Sequence, residues 1–180
     1  METQKEKLLK EDEIGLWIED YDYIFSDFDP RPLSQRGLSE DFLNEAKKAC
    51  LVKSSEDLEL KFLVSRKQRN YNEETVIKKR LKEYFKKHAL EFKNEYKKIM
   101  NQGIYFILAG IIFMVITTFF LVNNSSSNYL LTFLAVLLEP AGWFLFWEGL
   151  DLVIFKSKER RPNMEFYRKM SKARINFVDY

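Results

Sequence analysis

The stretch "GIYFILAGIIFMVITTFFLV", residues Gly103 to Val122, decides the fold because it contains no charged residue. A helix rises about 1.5 Å per residue, so this stretch crosses the roughly 30 Å hydrocarbon core of a bilayer. A second apolar block, Tyr129 to Phe155, is a few residues longer than a span requires, which permits tilt. Only the short polar segment "NNSSSN", Asn123 to Asn128, separates the two blocks. The sequence therefore predicts an antiparallel transmembrane helical hairpin.

The composition indicates that polar and apolar regions are segregated along the chain. Of the 180 residues, 31% are charged, which is high for a membrane protein, and 16% are aromatic, which is high for a soluble one. The opening "METQKEKLLKEDEIG" lacks the apolar core of a signal peptide, so none is expected. Cys50 is the single cysteine, which excludes an intramolecular disulfide and favours a buried small hydrophobic residue.

Basic residues flank the two apolar blocks and predict their orientation. Such residues concentrate on the cytoplasmic side of membrane proteins, so both termini of this multi-pass protein are expected in the cytoplasm. Each basic residue near the membrane attracts anionic lipid by about 1 kcal/mol. Lipid headgroups are therefore favoured over nucleic acid as the partner of the lysines that lie nearest the blocks. These are Lys93, Lys97, Lys98, Lys156 and Lys158.

The remaining segments alternate between strand and helix patterns. Residues 14–21 and 58–64 favour strands, and the helix between them, at 38–50, has Ser39 as a candidate N-cap. A long basic helix begins near Asn72, and Pro162 suits the start of a short helix before a strand in "RINFVDY". The predicted fold is α+β: a small cytoplasmic β-α-β unit, completed by the C-terminal strand, with the hairpin inserted in it. The predicted parts are 1–100, 103–155 (spans 103–122 and 129–155) and 156–180.

The acidic loop "EDYDYIFSDFDPRP", Glu19 to Pro32, follows the first predicted strand. Ligands of open α/β sheets bind beyond the carboxyl ends of strands, and carboxylates suit Mg²⁺ or Ca²⁺. Two other interpretations are that the loop forms Asx-turns, or that it docks on basic residues through ion pairs. Docking or a structural role is favoured over a metal site. The residues concerned are Asp20, Asp22, Asp27 and Asp29.

Four arginines suggest an anion site if two loops lie at the same end of the sheet. They are Arg31 and Arg36 after the acidic loop, and Arg66 and Arg69 in "SRKQRN". The alternative, which is favoured, is that they are solvated loop charges.

Glu139 lies near the middle of the second apolar block, in "LLEPAGWFLFWEGLD". An intramembrane carboxylate is a functional-site hypothesis by default, because it is expensive to place in hydrocarbon. Folding the hairpin about its turn places Gly110 opposite Ala141 and Gly142, where small residues permit close approach. Glu139 then either bonds within its own hairpin or meets a neighbouring copy. Residues expected near the cytoplasmic interface are Trp143, Trp147, Glu148 and Asp151, the two acids within reach of Lys97 or Lys98.

Four strings carry a resemblance to a known group of proteins: "YIFSDFDPRP", "LSEDFLNEAKKA", "LLEPAGWFLFWEGLDLVIF" and "EFYRKMSKARI". They are similar to a family of short, uncharacterised prokaryotic two-span membrane proteins. The resemblance covers most of the chain from Tyr21 onward. It implies a prokaryotic cytoplasmic membrane and brings no activity, cofactor or substrate.

Three functional hypotheses follow from these patterns. The leading one is a non-enzymatic membrane scaffold or sensor that self-associates as a homo-oligomer, needs no cofactor and has an unidentified protein partner. The second is a subunit of a small homo-oligomeric channel or transporter that uses Glu139. The third is a membrane-bound, metal-dependent enzyme that uses Asp27 and Asp29.

Overall fold

A computed structural model of the chain describes residues 12–123 and 129–179. The chain divides into two compact units, one formed by Met1–Phe92 with Asn163–Tyr180 and one by Lys93–Pro162. The first unit is thus assembled from both ends of the sequence, and the second is inserted between them. The division falls several residues outside the predicted bounds of 103 and 155. The opening segment and residues 124–128 of the predicted turn lie outside the described residues.

The first unit contains a parallel three-stranded sheet in the order β1-β2-β3. The strands are β1 (Glu13–Trp17), β2 (Glu59–Val64) and β3 (Arg174–Asp179). Ile14, Leu60 and Ile175 stand in register across the sheet. The predicted strands are present, but the first one ends at Trp17 rather than Tyr21. Asp20 instead caps a short 3-10 helix, Tyr21–Ile24, by accepting a hydrogen bond from the Asp22 amide.

One face of this sheet forms the core of the first unit. Leu60, Phe62 and Val64 of β2 are buried, whereas the residues between them are half-exposed. Phe62 stacks on Phe177 with ring centroids 5.0 Å apart. This period-two alternation is the pattern expected of a sheet buried on one side. Polar pairs occupy the other side, where the Lys61 ammonium lies 2.8 Å from the Glu13 carboxylate.

Helices α1 (Glu40–Val52) and α2 (Tyr71–Asn123) follow the predicted periodicity. Ser39 caps α1 by accepting from the Phe42 amide, and Glu40 and Asp41 lie at the positive end of the helix. Residues three and four apart on these helices join the same core as the sheet. From α1 they are Phe42, Ala46 and Cys50, and from α2 they are Ile77, Leu81 and Phe85.

The second apolar block forms α3 (Tyr129–Asp151), followed by a π-helical turn (Leu152–Lys156) and α4 (Ser157–Lys172). The prediction that a helix starts at Pro162 is wrong, because Pro162 lies inside α4. A proline in a helix removes one backbone donor, which is tolerated where the freed carbonyl remains accessible. Lys158, whose carbonyl loses that donor, is exposed. Two helical stretches, Tyr71–Val122 and Thr132–Lys172, are long and apolar enough to cross a membrane.

Candidate functional site: the helical hairpin and the acidic loop

Paired glycines bring α2 and α3 into backbone contact. A Cβ added at Gly110 would lie 2.7 Å from the Gly142 carbonyl oxygen, and one at Gly149 would lie 2.7 Å from the Gly103 carbonyl oxygen. The Gly110–Gly142 contact was predicted, whereas the Gly103–Gly149 contact was missed. The signal for the missed pair is the spacing, since the glycines on each helix are seven residues apart. Such a repeat keeps one stripe of an antiparallel pair facing its partner.

The same stripe continues beyond the glycines along both helices. Thr117 on α2 and Ala135 on α3 are buried, and each lies a further seven residues from a glycine. The Thr117 hydroxyl donates to the Phe113 carbonyl oxygen at 2.9 Å, so its polar group is satisfied within its own helix. Glycines, Ala135 and one internally bonded hydroxyl therefore recur every seven residues along the contact.

The outward surfaces of the hairpin are large and apolar. Only 11% of the most apolar window of the first helical stretch, and 17% of that of the second, is buried within the structure. Side chains such as Ile112, Phe119 and Phe144 are more than half exposed. Water-soluble proteins rarely leave apolar surface of this extent uncovered. The hairpin thus differs from a pair of core helices, whose apolar windows are mostly buried.

Glu139 lies on the outward surface of α3 and not against α2. Its side chain is exposed, and no described residue forms a hydrogen bond or ion pair with its carboxylate. Trp143 and Trp147 follow it at four-residue steps, are about half exposed, and stack with ring centroids 6.4 Å apart. Of the two arrangements that the sequence left open for Glu139, the described residues do not contain the bond within its own hairpin.

Glu148 and Asp151, which follow Trp147 on α3, pair with a lysine that was not predicted as their partner. Lys156 lies 3.3 Å from Glu148 and 3.2 Å from Asp151. The prediction that Lys97 or Lys98 pairs with them is wrong, because the π-helical turn carries Lys156 back over the last turns of α3. Lys93, Lys97, Lys98 and Lys158 are exposed, as contact with solvent or headgroups requires.

Two carboxylates of the acidic loop form ion pairs with arginines that lie close to them in the sequence. The Arg31 guanidinium donates to both carboxylate oxygens of Asp29, from Nε at 2.8 Å and Nη2 at 2.7 Å, and the Gly37 amide donates to Asp29 at 2.6 Å. These bonds hold the pKa of Asp29 well below its usual range. Arg36 likewise reaches Asp22 at 2.8 Å. The carboxylates of Asp22 and Asp29 are thus each paired with one of these arginines.

Arg80 of α2 attaches this loop to the rest of the first unit. Its guanidinium donates to the backbone carbonyl oxygens of Arg36, at 3.1 Å, and Gln35, at 3.3 Å. Asp27 remains exposed, 4.0 Å from Arg36. The contacts therefore favour the docking interpretation of the loop over a metal or catalytic one. Within residues 12–123 and 129–179, no group of three or more His, Cys, Asp or Glu side chains is placed to hold a metal ion.

Arg69 anchors a polar network at the carboxyl ends of β2 and β3. It donates to Glu74 at 2.8 and 2.9 Å and to Asp179 at 2.6 Å. The Tyr21 hydroxyl donates to Glu74 at 2.9 Å and accepts from the Asn70 amide at 3.1 Å. Burial acts to raise the pKa of Glu74, but the hydrogen bonds from Arg69 and Tyr21 outweigh it and lower that pKa.

This network differs from the predicted anion site. Arg31, Arg36 and Arg69 each face a carboxylate of the chain, and Arg66 is exposed. Their charges are therefore largely neutralised in place and do not converge on one position. No local sequence pattern links Arg69 to Asp179, or Glu74 to Tyr21, because these partners lie far apart along the chain.

Comparison with known proteins does not assign the chain to a family. No protein-family model, curated protein or solved structure matches the chain. Its function therefore has to follow from the residues and contacts described above.

Proposed function

We propose that the chain is an integral protein of a prokaryotic cytoplasmic membrane, in which the hairpin anchors the α/β unit as a scaffold or sensor. The observation that carries this proposal is the uncovered apolar surface along both helices of the hairpin. Hydrocarbon is the surrounding that removes this surface from water, and α-helices satisfy their own backbone polar groups there. The resemblance to two-span prokaryotic membrane proteins supports the same placement.

The α/β unit and both termini lie on the cytoplasmic side in this proposal. The exposed lysines Lys93, Lys97, Lys98 and Lys158 flank the apolar stretches, in accord with the positive-inside rule. The test is labelling of single cysteines in a Cys50→Ser background on intact cells. An impermeant maleimide should label Ser126→Cys on intact cells and Lys172→Cys only after permeabilisation. Labelling of Lys172→Cys on intact cells would contradict the orientation.

Self-association follows in this proposal from the outward position of Glu139. A charged residue at the centre of a bilayer costs about 2.5–3.5 kcal/mol on insertion scales, and such residues generally face protein or water. A neighbouring copy that packs on the Glu139 face supplies a polar partner and covers Trp143. Interhelical hydrogen bonds in membranes contribute about 1–2 kcal/mol.

The size of the assembly in lipid nanodiscs tests this step. Wild type should be oligomeric, Glu139→Gln should remain so because the amide still bonds, and Glu139→Leu should associate roughly five- to thirtyfold more weakly. Glu148→Gln, which alters an acid paired with Lys156, is the matched control and should behave as wild type. A monomeric wild-type protein would rule out self-association.

A homo-oligomeric channel or transporter is the alternative that the position of Glu139 also favours. One hairpin is too small to enclose a pore, so the carboxylates would have to line an axis shared by several copies. Ion flux into liposomes separates the two candidates. Flux that is present in wild type and lost in Glu139→Gln supports the channel, whereas an oligomer without flux supports the scaffold.

A further inference from the structure

A pocket of about 330 Å³ lies on the first unit between α1 and α4. All of its lining residues belong to that unit, and none belongs to the acidic loop or to the hairpin. Its walls are one face of α1, one face of α4 and the side chain of Phe92. Small-molecule sites in proteins start at about 300 Å³ and combine apolar walls with a few polar groups. The pocket is therefore large enough for one small ligand.

The α1 wall of this pocket carries one acid and one base. Glu40, Asn44 and Lys47 line it at steps of four and three residues, so they lie on one face of the helix. Glu40 and Lys47 are two helical turns apart, about 10 Å along the axis, and form no ion pair with each other. The Glu40 carboxylate is exposed and pairs with no other described residue. Both charges are thus available to a ligand.

Lys47 and Asn163 form the end of the pocket that suits an anion. The half-buried Lys47 ammonium donates a hydrogen bond to the side-chain oxygen of Asn163. An ammonium has three N–H donors and a carboxamide has two, so both groups keep donors beyond this bond. The bond also holds the lysine side chain in place, which reduces the entropy that ligand binding would cost. This end therefore offers positive charge and N–H donors to a carboxylate.

Aromatic rings form the apolar part of the pocket. Phe92 and Tyr167 stack with ring centroids 4.7 Å apart and ring planes 8° apart. Phe166, which also lines the pocket, is almost fully buried and meets Phe85 edge to face at 6.0 Å. The core of the unit thus holds these rings in position, and they present apolar surface on which another ring can pack.

We propose that this pocket binds a free α-amino acid with an aromatic side chain. The ligand carboxylate faces Lys47 and Asn163, and the ligand ammonium faces Glu40. The ligand ring lies against Phe92 and Tyr167. Opposite charges that share a helix face without pairing match a small molecule that carries both charges, and the side chains of lysine and glutamate are long enough to approach it. The aromatic wall favours a ligand with a ring over small polar zwitterions.

Phe92 and Asn163 connect this pocket to the proposed sensor. They are the residues at which the chain leaves the first unit for the hairpin and returns to it. A ligand that contacts both residues therefore gives the sensor a chemical class to detect. Only this last step rests on the function proposed above. Ligand binding itself does not depend on it, so a failure to bind would leave the membrane placement of the hairpin unaffected.

The probe is radiolabelled L-phenylalanine, measured by equilibrium dialysis against the full chain in nanodiscs, with empty nanodiscs as the blank. Saturable binding is expected. Three competitors each lack one feature of the probe: 2-phenylethylamine lacks the carboxylate, 3-phenylpropionate lacks the ammonium, and glycine lacks the ring.

The three competitors should differ in strength from unlabelled L-phenylalanine. We expect 2-phenylethylamine to compete about tenfold or more weakly, because it loses a charged hydrogen bond to the half-buried Lys47. We expect 3-phenylpropionate to compete up to about fivefold more weakly, because Glu40 is exposed. Glycine should not compete measurably.

Substitutions in the pocket assign each group of the ligand to its residue. Lys47→Met should weaken L-phenylalanine binding about tenfold or more and leave the binding of 2-phenylethylamine, which has no carboxylate, unchanged. Glu40→Gln should weaken L-phenylalanine binding up to about fivefold and leave that of 3-phenylpropionate unchanged. Lys48→Met makes the same change at the next residue, which pairs with Glu45 and does not line the pocket. This matched control should bind like wild type.

Three outcomes would overturn the proposal. They are the absence of saturable binding to wild type, competition by glycine as strong as that by unlabelled L-phenylalanine, and wild-type affinity in both Lys47→Met and Glu40→Gln. The first two need only the wild-type protein, so they stand even if a variant fails to fold. Equal affinity of wild type for 3-phenylpropionate and L-phenylalanine would refute the assignment to a zwitterion.

Discussion

The backbone contact between α2 and α3 makes Gly110→Ala the sharpest test of the hairpin. The added Cβ would meet the Gly142 carbonyl oxygen and the Phe146 amide nitrogen, both at 2.7 Å. Backbone atoms cannot rotate away, so the helices have to separate. Overpacking costs up to about 3 kcal/mol, and alanine regains about 1 kcal/mol of helix propensity over glycine. The expected net loss of hairpin stability is about 2 kcal/mol.

Gly142→Ala is the matched control, because the atom nearest its added Cβ belongs to a side chain that can move. The nearest atom is Cγ of Met114 at 3.0 Å, the Gly110 carbonyl oxygen lying at 3.1 Å. A methionine side chain is flexible and shifts readily. The same gain in helix propensity then offsets most of the cost, and the stability should change by less than about 1 kcal/mol.

Tryptophan fluorescence measures this difference directly. Of the three tryptophans, Trp143 and Trp147 lie on α3, so Trp17→Phe leaves reporters only in the hairpin. Unfolding by denaturing detergent should occur earlier for Gly110→Ala than for Gly142→Ala in that background. If the two variants unfold together with wild type, the helices do not approach at Gly110 as described.

Three further predictions concern the first unit. Phe62→Ala should cost about 3–5 kcal/mol in chemical denaturation because Phe62 is fully buried against Phe177; a loss below 1 kcal/mol would contradict the core. Glu74 has a lowered pKa in the folded state, so its contribution is complete above the ordinary glutamate value near 4.3 and is lost as the pH falls below it. Thermal midpoints at pH 7 and pH 3 should therefore differ more for wild type than for Glu74→Gln, and equal differences would refute the assignment. Cys50 is buried, which raises its thiol pKa, so it should resist maleimide until the protein is unfolded; fast labelling of the native protein would oppose this.

Local sequence patterns were sufficient to predict the helices and strands, but they did not predict the contacts between distant segments. Period-two alternation located β2, the Ser39 cap located the start of α1, and the absence of proline and glycine before Gly103 suggested the length of α2. These signals depend on interactions within a few residues, so they can be recognised in the sequence itself. The contact of Arg69 with Asp179 depends on how distant segments pack, and no local pattern records it.

The direction of Glu139 shows where sequence reasoning ends for the hairpin. Glu139 lies four residues after Ala135 and three before Gly142, both in the contact stripe. At about 100° per residue this places it on the flank of the stripe, where a small rotation of the helix decides its direction. The π-helical turn and the tolerated Pro162 were missed for a related reason, because both depend on how the surrounding residues pack and solvate the backbone.

The discontinuous first unit has a consequence for synthesis of the protein. Strand β2 lies between β1 and β3, and β3 follows the hairpin in the chain. During translation, β1, α1 and β2 therefore emerge with one edge of β2 unpaired and without Phe166 and Phe177 in the core. The unit reaches its final packing only after the hairpin has been made. A ribosome that stalls within the hairpin therefore leaves an incomplete domain with an open edge on β2, and such an unpaired edge is prone to aggregation until β3 has been made.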